Sequence, residues 1–176
     1  MFEIFYLQAV VCISLIWLLV RVFVSIRAGH VDFKREAKLL LVYICLIVIA
    51  RIVFFPWHHV NGQIGKLNFN MHRIIPCKTN LIPFVELNRI YDGWEMNIIG
   101  NVLMFIPVGI VWPFCFPKLN TIGKTVLAGM GLTIFIEMTQ LLFWERCSDV
   151  DDVILNTLDV VIGAILYFHV FSHKKE

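Results

Sequence analysis

Residues 137–156 of this chain read EMTQLLFWERCSDVDDVILN, a polar stretch that lies between two apolar runs. The stretch contains several carboxylates, two side-chain amides and one arginine. Charged side chains inside a bilayer are costly unless they are paired or hydrated, so membrane proteins keep them mainly where they have a function. We therefore interpret residues 137–156 as the polar centre of a membrane protein and the rest of the chain as its scaffold.

The overall composition is that of an integral membrane protein. Of the 176 residues, 59% are hydrophobic and 16% are charged, whereas soluble domains are roughly 45–50% apolar. The length predicts a single membrane domain over residues 1–176, and no linker or internal repeat divides it. The formal net charge is +2 and the basic residues are spread over loops, so no nucleic-acid partner is expected.

Five apolar runs are long enough to cross a bilayer, which requires about 20 residues of helix. We therefore predict an all-α polytopic bundle of five transmembrane helices in contact with lipid, with one long extracytoplasmic loop at residues 58–96. Pro107 is expected to kink the third helix, and residues 86–91 to form a short interfacial helix. The predicted spans cover residues 3–26, 38–57, 97–116, 122–144 and 152–171.

The distribution of basic residues predicts how the helices are oriented. Residues 27–38 carry four Lys and Arg residues, residues 117–124 carry two, and the C-terminal tail carries two. Cytoplasmic loops of membrane proteins are enriched in Lys and Arg. The N-terminus is therefore predicted to lie outside and the C-terminus in the cytoplasm.

No metal or other cofactor is predicted. The five cysteines lack paired CxxC spacing, and the adjacent His58 and His59 point to different faces of any regular element. Two alternatives stay open. Cys77 and Cys147 fall on the same predicted side, which is compatible with a disulfide, and the carboxylates of residues 149–152 could hold a divalent cation together with a phosphate.

Helical periodicity gives each of the last two predicted spans one polar stripe. In the fourth span the stripe covers about 60° and contains Thr133, Glu137, Gln140 and Trp144. In the fifth span it covers about 80° and contains Asp149, Asp152, Asn156, Asp159 and Gly163. At 1.5 Å per residue, Glu137 and Arg51 each lie roughly 9 Å below the outer ends of their spans. We therefore expect Arg51 to neutralise Glu137 or Asp159, or to face a water-filled cleft with them.

The polar residues collect in the outer halves of spans three to five, which predicts a site that opens outward. Its carboxylates, arginines and amides suit a phosphate, a sugar headgroup or a carboxylate-bearing peptide. Simpler roles remain as alternatives, because carboxylates at 149–152 could cap the last helix and Glu137 could bond a neighbouring helix. The expected binding residues are Asn80, Asn101, Glu137, Gln140, Arg146, Asp149, Asp152, Asn156 and Arg51.

Four motifs in combination resemble the signature of VanZ-like membrane proteins. They are Asn80-Leu-Ile-Pro83-Phe84, Asn101-Val-Leu-Met-Phe105-Ile-Pro107-Val-Gly109, Glu137-x-x-Gln140 and Arg146-x-x-Asp149-x-x-Asp152-x-x-x-Asn156. The resemblance covers about residues 38–170 and implies a multi-pass protein of the bacterial plasma membrane. Through the family's namesake it also implies an association with resistance to the glycopeptide teicoplanin. Asp159 stands where the family pattern resembles a glycine, so the packing or charge of the site is expected to differ here.

Two functions of different classes follow from these observations. The first is a binding protein that engages a cell-envelope precursor or lipid headgroup, linked by the resemblance to reduced susceptibility to teicoplanin-type glycopeptides. The alternative is an intramembrane enzyme acting on an envelope lipid or phosphate-bearing substrate, with Glu137 or Asp152 as general acid or base and Arg146 holding a phosphate or carboxylate. The chain has no HExxH or GxSG-like motif, and five helices without a repeat disfavour a transporter.

Overall fold

The computed structural model describes residues 2–55, 65–69, 79–83, 103–144 and 146–172. The chain divides into two compact units, Met1–Phe69 and Asn70–Glu176. The first unit contains α1 (Tyr6–Ala28) and α2 (Phe33–Phe54), with β1 (Phe2–Ile4) paired antiparallel to β2 (Leu67–Phe69). The second unit contains β3 (Thr79–Asn80) paired parallel to β4 (Ser148–Asp149), with α3 (Ile106–Cys115), α4 (Ile122–Gln140) and α5 (Val150–Ser172).

The helical membrane architecture predicted from the sequence is confirmed. Among the described residues, α1, α2, α4 and α5 as far as Val170 are long and apolar enough to cross a membrane, and α3 is a shorter apolar helix. The strands in the same ranges form two small pairs. The beginning of the predicted third span, residues 97–102, and the predicted interfacial helix at residues 86–91 lie outside the described residues.

The helices of the first unit are joined by a shorter connection than the sequence predicted. Gly29 has a φ of 70° and ends α1 by donating its N–H to Ile26 O, a conformation that glycine adopts without strain. The Asp32 carboxylate caps α2 by accepting from Arg35 N at 3.2 Å. Half of the basic segment predicted as a loop at residues 27–38, from Phe33 onward, therefore belongs to α2.

Polar contacts join α1 to α2 across the hairpin. Arg21 Nε donates to Glu36 Oε2 at 2.7 Å, and the hydroxyls of Ser14 and Tyr43 lie 2.7 Å apart. None of the side chains of α1 is buried within the protein, so its apolar surface is available to lipid. α1 begins at Tyr6 and not at residue 3, because the backbone of residues 2–4 is paired with β2.

The second unit is built around α5, which packs against both α3 and α4. A Cβ added at Gly163 would lie 3.0 Å from the Cα of Gly109, and one added at Gly109 would lie 2.8 Å from the Cα of Gly163. The backbones of α3 and α5 therefore touch, as small residues permit between membrane helices. On the other side, a Cβ at Gly129 of α4 would meet the Val160 side chain at 2.6 Å.

Two helix boundaries in this unit differ from the predicted ones. Pro107 does not kink a continuous helix, because the helix breaks at Phe105 and α3 begins at Ile106, so the proline lies in a first turn. A proline there interrupts no intrahelical hydrogen bond. α4 ends at Gln140 and not at residue 144, because Leu142 N and Phe143 N donate to carbonyls three residues earlier, at 3.1 and 3.0 Å, and the chain turns.

The contact between Arg21 and Glu36 makes a measurable prediction about the α1–α2 hairpin. In a double-mutant cycle with Arg21→Met and Glu36→Gln, we expect a coupling free energy of about 1 kcal/mol, since the side chains are only 15% and 27% exposed. Unfolding of the purified protein in detergent provides the measurement.

The exposed pair Lys66 and Glu3 serves as the control for this cycle, since these side chains are 47% and 46% exposed. Its coupling should be close to zero because water screens it. Equal coupling in the two cycles would contradict the role assigned to the partly buried pair.

The close approach of α3 and α5 predicts different effects for two similar substitutions. Gly163→Ala should lower the free energy of unfolding by about 1–3 kcal/mol, because the methyl group would meet the Ile106 carbonyl and the Gly109 backbone. Gly131→Ala is the matched control, since a Cβ there meets no atom within 4 Å. It should leave stability unchanged or raise it by about 0.5–1 kcal/mol. Similar losses in both variants would argue against direct backbone contact.

Candidate functional site

Glu137 lies in the last turn of α4 and is 4% exposed. Its Oε2 accepts a hydrogen bond from Asp149 N at 2.9 Å, which links the end of α4 to the start of α5. Because α4 ends at Gln140, Glu137 lies about 4.5 Å from the helix end. The depth of roughly 9 Å that was expected from a longer helix is therefore wrong.

Asp149 directly precedes α5 and joins three segments. Its Oδ1 accepts from Asp151 N at 2.9 Å, which is the contact of a helix N-cap. Asn80 pairs with it in the β3–β4 ladder, and Asn80 Nδ2 lies 3.3 Å from each Asp149 carboxylate oxygen. The alternative in which a carboxylate at 149–152 caps the last helix thus holds for Asp149, alongside its contact with the loop.

Asp152 and Arg146 add charge of both signs beside these contacts. The negative charge of Asp152 interacts unfavourably with Asp149 and Glu137 and favourably with the guanidinium of Arg146. Both side chains are partly buried, so these interactions are stronger than they would be in open water. We call the following set the polar cluster: Asn80, Glu137, Arg146, Asp149 and Asp152.

A second polar layer lies about one helical turn deeper between α4 and α5. Asn156 Nδ2 donates to Thr133 Oγ1 at 3.0 Å, and these residues are 2% and 0% exposed. Asp159 is also 2% exposed, and its Oδ2 accepts from Phe105 N at 3.5 Å, at the start of α3. A carboxylate is favourable at a helix N-terminus because it compensates the free amide groups there. Asp159 therefore has a structural partner on α3.

The remaining predicted site residues are Gln140, Asn101 and Arg51. Gln140 is 4% exposed, in the last turn of α4. Asn101 lies outside the described residues. Arg51 belongs to the first unit, where its Nη1 donates to Phe55 O at 3.1 Å and its guanidinium carbon lies 5.6 Å from the Tyr6 ring centroid. Its expected pairing with Glu137 or Asp159 stays a prediction.

The arrangement of possible metal ligands can be compared with the sequence-based alternatives only among the described residues. Within the ranges that the structure describes, no group of three or more His, Cys, Asp or Glu residues is arranged to hold a metal ion. The alternative of a divalent cation on the carboxylates of residues 149–152 thus has no support from their geometry. His58, His59 and Cys77 lie outside these ranges, so the disulfide between Cys77 and Cys147 stays an open alternative.

Sequence reasoning did not identify every residue that builds the site. Thr133 was assigned to the α4 stripe but not to the candidate set, although it is the buried partner of Asn156. Its position four residues before Glu137, on the same helix face, was the available signal. Thr79 pairs with Ser148 in the β3–β4 ladder, and no local pattern joins residues so far apart in the chain.

The contact between Glu137 and the Asp149 amide predicts how two substitutions differ. Glu137→Gln keeps an oxygen acceptor and should leave the Asp149 amide protected from hydrogen exchange. Glu137→Leu should expose that amide to exchange and cost about 1–3 kcal/mol of stability, because a part-buried donor loses its acceptor. Hydrogen exchange read out over residues 146–152 measures the difference. Equal protection in the two variants would show that the contact does not hold the turn.

Comparison with known proteins agrees with the resemblance noted in the motifs. The VanZ/LLP1 family profile matches residues 40–172. The chain is 30% identical over 99 residues to "Protein VanZ" of Enterococcus faecium, and the aligned segment covers 56% of each chain. The chain thus matches about half the length of this curated relative. No solved structure matches.

Proposed function

Because this chain belongs to the VanZ/LLP1 family of membrane proteins, we propose that it engages a cell-envelope precursor or a lipid headgroup. Binding takes place at an outward-facing cleft formed around the polar cluster, in the bacterial plasma membrane. Occupation of this cleft lowers the susceptibility of the cell to teicoplanin-type glycopeptides. The N-terminus lies outside and the C-terminus in the cytoplasm.

The observation that carries the proposal is the link from Glu137 to Asp149 to Asn80. The link consists of a hydrogen bond to the Asp149 amide at 2.9 Å and side-chain contacts at 3.3 Å. Through this link Asn80 of the loop, the end of α4 and the start of α5 lie close together. A scaffold that fixes polar side chains from several segments is what a specific binding site requires.

The charges of the polar cluster favour a ligand with mixed polar groups. Carboxylates accept hydrogen bonds from hydroxyl and amine donors, and the guanidinium of Arg146 suits a phosphate or carboxylate oxygen. A headgroup that combines a sugar or amine with a phosphate or carboxylate offers partners for the carboxylates and for the guanidinium of Arg146. Envelope precursors and lipid headgroups have this chemistry.

The distribution of basic residues along α4 supports an outward-facing cleft. Lys118 and Lys124 flank the start of α4, whereas Glu137 lies in its last turn. The helix is 19 residues long, or about 28 Å, close to the thickness of a bilayer's hydrocarbon core. The end that carries the polar cluster is therefore opposite the end that the positive-inside rule assigns to the cytoplasm.

An intramembrane enzyme is the second candidate, and the neighbouring carboxylates favour it. Glu137 and Asp152 are close enough to interact electrostatically, and two carboxylates in unlike surroundings can divide the roles of acid and base. In this scheme Arg146 holds a phosphate or carboxylate of the substrate. Turnover of a labelled envelope lipid by the purified protein would favour the enzyme over the binding protein.

The proposal predicts loss of the resistance phenotype without loss of the protein. Glu137→Gln, Arg146→Ala and Asp152→Asn should each retain membrane abundance while teicoplanin susceptibility returns to that of cells lacking the protein. Affinity of the purified protein for a headgroup mimic should fall by about tenfold or more, because a part-buried charge loses its partner. Quantitative blotting, growth inhibition and calorimetry provide the measurements.

The control for these variants is Lys118→Ala, which removes a charge from an exposed turn far along the chain from the polar cluster. It should change neither abundance nor susceptibility. Loss of abundance in all three cluster variants would assign these residues a structural role and contradict the proposal. Normal abundance of the three variants with unchanged teicoplanin susceptibility would also contradict the proposal.

A further inference from the structure

Leu81 and Ile82 form an exposed apolar loop tip directly after the contact between Asn80 and Asp149. Leu81 is 73% exposed and Ile82 is 67% exposed. Single apolar side chains on a protein surface are common and need no explanation. Two adjacent ones at the top of a turn, beside a group of charged residues, present a compact apolar surface that water solvates poorly.

The turn that presents the loop tip is fixed at its base. Asn80 pairs with Asp149 through the β3–β4 ladder and through its side-chain amide. The Asn80 Oδ1 accepts from Ile82 N at 3.3 Å, which closes a tight turn of the kind that asparagine favours. The bonds of Asn80 therefore hold the turn in a conformation in which Leu81 and Ile82 are exposed.

The contact with Asp149 limits how far the loop tip can lie from the ends of two candidate spans. Asp149 directly precedes α5, and its amide is bonded to Glu137 in the last turn of α4, so it lies where two candidate spans end. Paired strands are about 4.8 Å apart, and each further residue adds at most about 3.6 Å. The loop tip thus lies within about 12 Å of the span ends, in reach of a headgroup layer that is about 5–8 Å thick.

We propose that the loop tip inserts into the lipid leaflet at the level where α4 ends and α5 begins. The partner is the upper acyl region of the bilayer, the apolar phase expected around the exposed side chains Leu127 and Phe135 of the candidate span α4. Insertion removes Leu81 and Ile82 from water and leaves Asn80 at headgroup height beside Asp149. The inference rests on contact with lipid and not on the identity of the ligand in the cleft, so it can hold where the proposed function fails.

The test replaces Leu81 by an aliphatic amino acid that carries a photoactivatable diazirine, in the full-length protein with its native cysteines. The protein is reconstituted in vesicles of phosphatidylcholine and phosphatidylglycerol, irradiated, and digested for mass spectrometry. The same residue is placed at Leu127 as the lipid-facing reference and at Lys118 as the water-facing reference. Because Leu81 is highly exposed, this substitution should not disturb folding, which thermal unfolding checks.

The expected result is a fraction of lipid adducts at position 81 that is close to the fraction at position 127 and several times that at position 118. A product at position 81 dominated by addition of water, as at position 118, would overturn the proposal. Crosslinks from position 81 to another part of this protein would overturn it as well, because the loop tip would then have a protein partner. Repeating the measurement at Ile82 provides an independent second position.

Discussion

No side chain separates α3 from α5 at the point where Gly109 meets Gly163, and the rest of the second unit depends on this contact. A Cβ on either glycine would lie within 3.0 Å of the other helix, so only glycine allows the two backbones to approach this closely. Asp159 is one turn before Gly163 on α5. The close approach therefore brings its carboxylate to the amide of Phe105, where α3 begins.

The side chains of the polar cluster, which we propose as a binding site, also make structural contacts. Glu137 and Asp149 each use a carboxylate oxygen to accept from the backbone, and these bonds hold the turn between α4 and α5. A carboxylate has several lone pairs, so the lone pairs that do not bond the backbone can accept hydrogen bonds from a ligand. Asp152 and Arg146 supply opposite charges beside this framework. Removing a charge here therefore tests both stability and recognition, and abundance has to be measured with activity.

Apolar runs were enough to predict a bundle of membrane helices, whereas the bond between Glu137 and the Asp149 amide was not predicted. Helix ends were less predictable, because they depend on local hydrogen bonds such as the Asp32 cap and the turn after Gln140. The contact of Asn80 with Asp149 joins residues 69 positions apart, and no periodic pattern encodes such a distance. The contact of Asp159 with Phe105 likewise requires knowing which helices pack together.

The buried carboxylate of Asp159 also bears on how the protein enters the membrane. An aspartate near the middle of an isolated transmembrane helix costs about 2.5–3.5 kcal/mol during insertion, and α5 carries other carboxylates and an amide above it. The backbone amide of Phe105, which directly precedes α3, and the hydroxyl of Thr133 in α4 are synthesised earlier than α5. When α5 leaves the ribosome, its polar groups therefore meet partners already present in the bilayer, and insertion of the last helix becomes coupled to assembly of the bundle.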